Sequence, residues 1–229
     1  MKIKICGLSR EQDIDYVNEA RPDYCGFVFA ESKRQVSPAR AAGLKRRLAA
    51  GVTAAGVFVN APIGEIAALY RDGVINIAQL HGDESGEYIA RLKEAGGDTP
   101  IPVIQVIKSI SLNSNHGVHG VRKIFNSLSL KNSKLSAGQQ YSVVNSSGDY
   151  YLIDSGSGSG ETFDWNLLKS LDIDKPWFLA GGINLSNIGR AMAINPYGID
   201  ISSGAETDGV KDREKILQLT AAVRKGNMV

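Results

Sequence analysis

The chain has 229 residues, 43% hydrophobic and 22% charged, with a formal net charge of +2. This is the composition of an ordinary globular protein with enough apolar residues for a sizeable core. The small charge and the lack of a long Lys/Arg run argue against a nucleic-acid partner, and Lys45, Arg46 and Arg47 read as the solvated face of a helix. Two cysteines, Cys6 and Cys25, make no disulfide framework and lack metal-ligand spacing, so no metal is expected. No stretch reaches transmembrane length and the N-terminal MKIKICG has no signal-like apolar run, so the expectation is a cytoplasmic protein with no membrane partner.

Short apolar runs alternate with helix-like stretches along the chain. A strand is predicted at 2–6 (KIKIC), then a helix over 10–20 capped by Ser9. A strand at 23–29 (DYCGFVF) leads to a helix over 38–49, with Ser37 as cap and Pro38 at the first position. Strands at 53–59 (TAAGVFV) and 74–80 (VINIAQL) are followed by helices over 62–72 and 85–95, and a fifth strand is predicted at 101–107 (IPVIQVI). Residues 109–148, rich in Ser, Asn and Gly, break the rhythm; only 117–128 looks helical, and 129–148 reads as a long loop. His116 and His119 fall there as exposed bystanders. The pattern resumes with strands at 149–154 (DYYLID), 176–180 (PWFLA) and 197–202 (YGIDIS). Helices are predicted over 164–171, 184–193 behind Asn184, and 212–225 behind Asp212.

The strands are apolar on both faces, as buried parallel strands are. Alternation through the whole length predicts βαβ units. The fold read from it is α/β: a single (β/α)8 TIM barrel over residues 1–229, with 109–148 inserted between the fifth and sixth strands. At 229 residues it is compact against the roughly 250 typical of that fold.

Chemistry is concentrated just after the strands, on the face where such barrels carry their sites. LAGGI (179–183) and ISSGA (201–205) each end a strand, and glycine backbones with serine hydroxyls suit a phosphate. Gly181, Gly182, Ser202, Ser203 and Gly204 are the candidate phosphate ligands, so the expected partner is a small phosphorylated molecule. The alternative for each loop alone is simple turn chemistry. A third glycine-rich loop, 155–160, follows Asp154. Cys6, at the end of the first strand and before Gly7, is positioned to be partly exposed and is a candidate base if neighbouring cations lower its pKa; the alternative is a buried structural cysteine. Asp154, after an apolar run, is a candidate acid if it is shielded enough to hold a proton; the alternative is a helix or turn cap.

Strand parity adds detail. Lys2, Lys4 and Cys6 share one face of the first strand. A buried Lys4 ammonium would need a partner, and Asp200, sharing a face with Ser202, is the candidate. Gln79 and His81 share a face of the fourth strand, so His81 is a candidate pocket residue, the alternative being a structural hydrogen bonder. Arg34 could hold a second anion or be a surface loop charge.

Together KICG (4–7), GFVF (26–29), SKRQVSP (32–38), GVFVN (56–60), QLHG (79–82), TFDW (162–165), LAGGIN (179–184) and DISSG (200–204) resemble the phosphoribosylanthranilate isomerase family of tryptophan biosynthesis. The resemblance implies a (β/α)8 barrel without cofactor or metal. It also implies an Amadori rearrangement of an aminoaldose to an aminoketose, with Cys6 as general base and Asp154 as general acid. Arg34 would hold the anthranilate carboxylate; Gly182, Ser202, Ser203 and nearby backbone would hold the phosphate; His81 and Asp200 would line the pocket. Two departures stand out, the length of the 109–148 insertion and the serines that open the loop after Asp154. The histidine-pathway isomerase is the nearest alternative, but an acidic residue typically ends its first strand. A non-catalytic phosphate sensor on the same fold is the alternative of another class, disfavoured by the presence of both Cys6 and Asp154. A monomer is expected, with a homodimer as the alternative.

Overall fold

Strand edges carry unpaired backbone groups, and a barrel removes them by closing the sheet on itself. The computed structural model describes residues 1–96, 105–111, 141–143, 148–154, 165, 168, 171–173 and 175–226. Eight strands form a ring: β1 (Lys2–Cys6), β2 (Tyr24–Val28), β3 (Thr53–Phe58), β4 (Ile77–Leu80), β5 (Gln105–Ser111), β6 (Tyr150–Asp154), β7 (Trp177–Ala180) and β8 (Gly198–Ile201). Their order is β1-β8-β7-β6-β5-β4-β3-β2, closing on β1, and every pairing in it is parallel. Helices α1 (Glu11–Ala20), α2 (Pro38–Arg47), α3 (Ile63–Arg71), α4 (Gly86–Glu94) and α5 (Ile188–Met192) lie between the strands in the chain, and α6 (Arg213–Lys225) follows the last of them. The expected α/β class with a parallel, curled sheet is met.

Alternation of side chains along the strands divides the core in two. Ile3, Ile5, Cys25, Phe27, Leu80, Ile153, Leu179, Ile199 and Ile201 pack in one cluster with helix residues such as Ile14, Leu44, Ile66, Leu92 and Leu219. The opposite strand faces supply a second, smaller cluster: Ala55, Ile77, Leu152, Phe178 and Ala180, with Tyr24, Tyr150 and Tyr197 against it. Tyr24 and Tyr197 meet Phe178 edge-to-face at 5.4 and 5.5 Å. These aromatic rings come from near the strand N-termini and fill that end of the barrel, which leaves the other end for polar groups.

Several expectations need correction. Ser9 does not cap α1. Instead the buried Asp13 carboxylate accepts from the backbone N–H groups of Ser9 and Arg10 and from the Arg10 side chain. The fourth strand begins at Ile77 rather than residue 74, because the N–H groups of Val74 and Ile75 both turn back to the Leu69 carbonyl at the end of α3. β5 runs on to Ser111, where Ser109 and Ser111 pair in register with Leu152 and Asp154. Ladder pairing there overrides the low strand propensity of serine, so residues 109–111 belong to the barrel sheet. Tyr141–Val143, expected within a loop, pairs in parallel with Leu171–Ile173, so Leu171 is strand rather than the end of a helix. Asn184 does not cap α5. Its side-chain oxygen instead accepts from Ser186, and the helix starts at Ile188. Ser37 and Asp212 cap α2 and α6 as expected. The helix expected at 117–128, His116, His119 and the glycine loop 155–160 lie outside the described residues.

Candidate active site

Because the strands are parallel, their C-terminal ends all open on one face. Cys6, Val28, Phe58, Leu80, Asp154, Ala180 and Ile201 end their strands there. The candidate residues just beyond them therefore share one mouth, as the alternation of elements implied.

Cys6 ends β1, and its register partner on β2 is Gly26. A methyl group on Gly26 would lie 2.6 Å from the Cys6 sulfur and 3.1 Å from its Cα, so glycine is what makes room for the thiol. Cys6 is buried, 7% exposed, which corrects the expectation of a partly exposed, acidified thiol. Burial pushes the thiol up, and although the ammonium groups of Lys4 and Lys211 oppose this, they do not reverse it. Lys4, two residues back on the same face, is fully buried and makes the ion pair expected for it, with its nitrogen 2.9 and 3.0 Å from the two Asp200 oxygens. Burial alone would pull Lys4 down, but Asp200 and Cys6 hold its proton above the ordinary lysine range. Asp200 thus lies inside the barrel wall at β8, as a charge partner beneath the mouth.

The two glycine–serine loops follow neighbouring strands, β7 and β8. Gly181 and Gly182 have φ of 96° and 63°, a pair of positive angles that glycine adopts without the clash a side chain would bring. The Gly182 carbonyl accepts from the side chains of both Asn184 and Asn187, which fixes the loop. Ser203–Ala205 forms one short turn of helix directly after Ser202. A methyl on Gly204 would fall 1.9 Å from the Ile183 carbonyl oxygen, so only glycine lets the two loops touch. The Ser202 hydroxyl donates to the Cys6 carbonyl at 3.3 Å, tying the β8 loop to the end of β1.

Asp154 ends β6 in register with Ala180 and Ser111. Its side chain is a quarter exposed, and one oxygen lies 3.7 Å from His81 Nε2. His81 also meets Gln79 through Nδ1 at 3.4 Å. His81 therefore lies between Asp154 and Gln79, the residue with which it shares a strand face.

Arg34 is held where the sequence offered no hint. Its Nε and Nη2 donate to the two carboxylate oxygens of Glu206 at 2.6 and 2.7 Å. Lys211 donates to the same Glu206 carboxylate at 2.6 Å and to the Ser202 carbonyl at 3.0 Å. Burial favours the neutral acid, yet the hydrogen bonds of Arg34 and Lys211 bring Glu206 down to about 2. Glu206 and Lys211 lie on a small hairpin, Glu206–Thr207 against Val210–Lys211, that follows the β8 loop. In the sequence this hairpin is ETDGVKD, which reads as a polar turn and gives no sign of two buried charges.

A thiol and a carboxyl on separate walls of a parallel barrel, with two glycine-bearing loops at the mouth, suit acid–base chemistry on a phosphorylated small molecule. Comparison with known families makes this specific. The family model described as N-(5'phosphoribosyl)anthranilate (PRA) isomerase matches residues 3–119 and 116–222, and the chain belongs to that family. It is 39% identical to N-(5'-phosphoribosyl)anthranilate isomerase of Endomicrobium trichonymphae, over 97% of this chain and 98% of the relative. Identity to the Clostridium acetobutylicum protein of the same name is 37%, over 98% of each. Among solved structures, phosphoribosyl anthranilate isomerase from Thermotoga maritima superposes with a TM-score of 0.75 at 27% identity, covering 100% of both chains. A phosphoribosyl anthranilate isomerase in complex with reduced 1-(o-carboxyphenylamino)-1-deoxyribulose 5-phosphate superposes at 0.73, with 26% identity over 98% and 99% of the chains.

Proposed function

We propose that this chain carries out the N-(5'-phosphoribosyl)anthranilate isomerase reaction of tryptophan biosynthesis with Cys6 as base and Asp154 as acid. The observation that carries the assignment is the order of the ring. β8 and β7, which bear the two glycine–serine loops, lie between β1 with Cys6 and β6 with Asp154. A phosphate held on that arc leaves the sugar between a thiol on one side and a carboxyl on the other. Ring opening needs a proton at the furanose oxygen, and Asp154 supplies it. The open iminium then loses its C2 proton to the Cys6 thiolate, and the enamine formed goes on to the aminoketose. One group gives a proton while the other takes one, so the pair ends in exchanged states.

The thiolate must form against the burial that raises Cys6. Lys4 and Lys211 are the charges that favour it, and the buried setting makes their pull strong. In this reading Gly181, Gly182, Ser202, Ser203 and Gly204 hold the phosphate, Arg34 takes the anthranilate carboxylate, and His81 lines the wall beside Asp154. Asp200 acts through Lys4.

The whole chain is read as one (β/α)8 barrel, residues 1–229, with the insertion between β5 and β6. It is read as a cytoplasmic monomer acting on its small phosphorylated substrate without a cofactor. Among the described residues no helix is long and apolar enough to cross a membrane. A homodimer is the second reading, since the Thermotoga maritima relative is dimeric and has been obtained as monomers.

Asp154→Asn tests the acid. It should abolish turnover while binding of a phosphate ligand, measured by titration calorimetry, stays close to wild type. Turnover near the wild-type rate would remove Asp154 from the role.

A further inference from the structure

We infer that Glu206 is a positioning residue, which turns one edge of the Arg34 guanidinium toward the aryl carboxylate of the substrate; the inference rests on the isomerase reading above. A guanidinium offers two edges to carboxylates, and each can take two parallel hydrogen bonds. Glu206 takes the Nε/Nη2 edge with both oxygens. Among the described residues no protein acceptor takes Nη1, so the Nη1/Nη2 edge is left for a second carboxylate. The Arg34 side chain is 21% exposed, while the Glu206 side chain is 5% exposed beneath it.

The arginine also lies in the right place. A methyl on Gly7 would be 2.4 Å from Arg34 Cδ and 3.4 Å from the Ser202 hydroxyl. The arginine stem therefore crosses the residue next to Cys6, beside the phosphate loop. Arg34 and the phosphate loop thus border the same stretch of the mouth, where one substrate would meet both.

A lone carboxylate on Arg34 would cancel the charge meant for the ligand. Lys211 prevents this. Its ammonium shares Glu206 Oε1 and is itself 2% exposed. Two cations on one anion leave a net positive charge, and the exposed member is Arg34. Lys211 also holds the Ser202 carbonyl, and Lys215 holds the Glu206 carbonyl. Glu206 thereby joins the two ends of the pocket, the arginine for the aryl carboxylate and the loop for the phosphate.

The test is steady-state kinetics on the full chain with phosphoribosylanthranilate, comparing wild type, Glu206→Gln, Arg34→Ala and the double variant. A hydrogen bond to a charged group is worth enough that Glu206→Gln should raise KM about tenfold, with kcat changed by less than about threefold. In the Arg34→Ala background, Glu206→Gln should add no further rise in KM, because its effect passes through the arginine. Glu206→Asp keeps the charge and should restore part of the loss; if the glutamine variant does not fold, the aspartate variant carries the same comparison. Independent, multiplying effects of Arg34→Ala and Glu206→Gln on KM would overturn the inference, as would a fall in kcat at constant KM. A folded but inactive wild type would overturn the isomerase reading and this inference with it, whereas an active wild type matched by Glu206→Gln would overturn the inference alone.

Discussion

Lys4 and Asp200 face each other across the β1–β8 ladder as direct register partners, and their side chains form a buried ion pair of 2.9 and 3.0 Å inside the barrel. The pair sits one step below Cys6 on the same strand face. Taking two charges out of water is costly, and it is tolerated here because each is the other's partner and Lys4 also serves the thiol above it.

That arrangement predicts an asymmetry. Lys4→Met leaves the Asp200 carboxylate buried and alone, and should lower stability by about 3–5 kcal/mol. Replacing both, as Lys4→Met with Asp200→Leu, should recover much of that loss, because no uncompensated charge remains. Denaturant unfolding midpoints of the two variants check this. Equal midpoints for wild type and Lys4→Met would show that the pair is not the buried contact described.

Gly26 predicts a loss of rate with little loss of fold. The methyl of Gly26→Ala must displace the Cys6 sulfur, which it would otherwise approach to 2.6 Å. Misplacement of a catalytic group by about 1 Å costs on the order of a hundredfold in rate. The variant should therefore show kcat lower by roughly that factor, with KM for the phosphate-bearing substrate little changed. A kcat within twofold of wild type would remove the close approach as a constraint on the base.

Glu206 predicts a pH dependence of stability. Its folded value, about 2, lies below the ordinary 4.5 of a glutamate, so the carboxylate form is favoured by folding. A depressed acid contributes stability that is fully present above its unfolded value and is lost as pH falls through the folded one. Wild-type stability should thus decline between pH 4.5 and about 2 in part through Glu206. Glu206→Gln, which cannot titrate, should show a shallower decline over that window in acid unfolding followed by circular dichroism. Parallel curves for the two proteins would contradict the assignment.

What the sequence made legible follows from which physical signals are local. Strand and helix alternation is local, and β1, β2, β3, α2 and α6 fall close to where periodicity and caps put them. Strand parity placed Lys4, Cys6 and Asp200 on related faces before any pairing was known. The Arg34–Glu206–Lys211 cluster was not legible, because its members come from segments 172 residues apart and lie in polar turns that look solvated. The burial of Cys6 could be named only as the alternative for a similar reason, since it depends on how Gly26 of the next strand packs against it. Strand ends at residues 74–76 and 109–111 were misplaced where ladder pairing or a helix end overruled the local composition.

The proposed mechanism has this barrel isomerise phosphoribosylanthranilate with Cys6 as its base. The most direct measurement generates the substrate in situ from anthranilate and phosphoribosyl pyrophosphate, then follows the decay of its fluorescence with wild type and with Cys6→Ser. Decay should depend on wild-type enzyme and collapse in a folded Cys6→Ser variant. No enzyme-dependent decay with folded wild type would contradict the activity, and decay at the wild-type rate in Cys6→Ser would contradict the base.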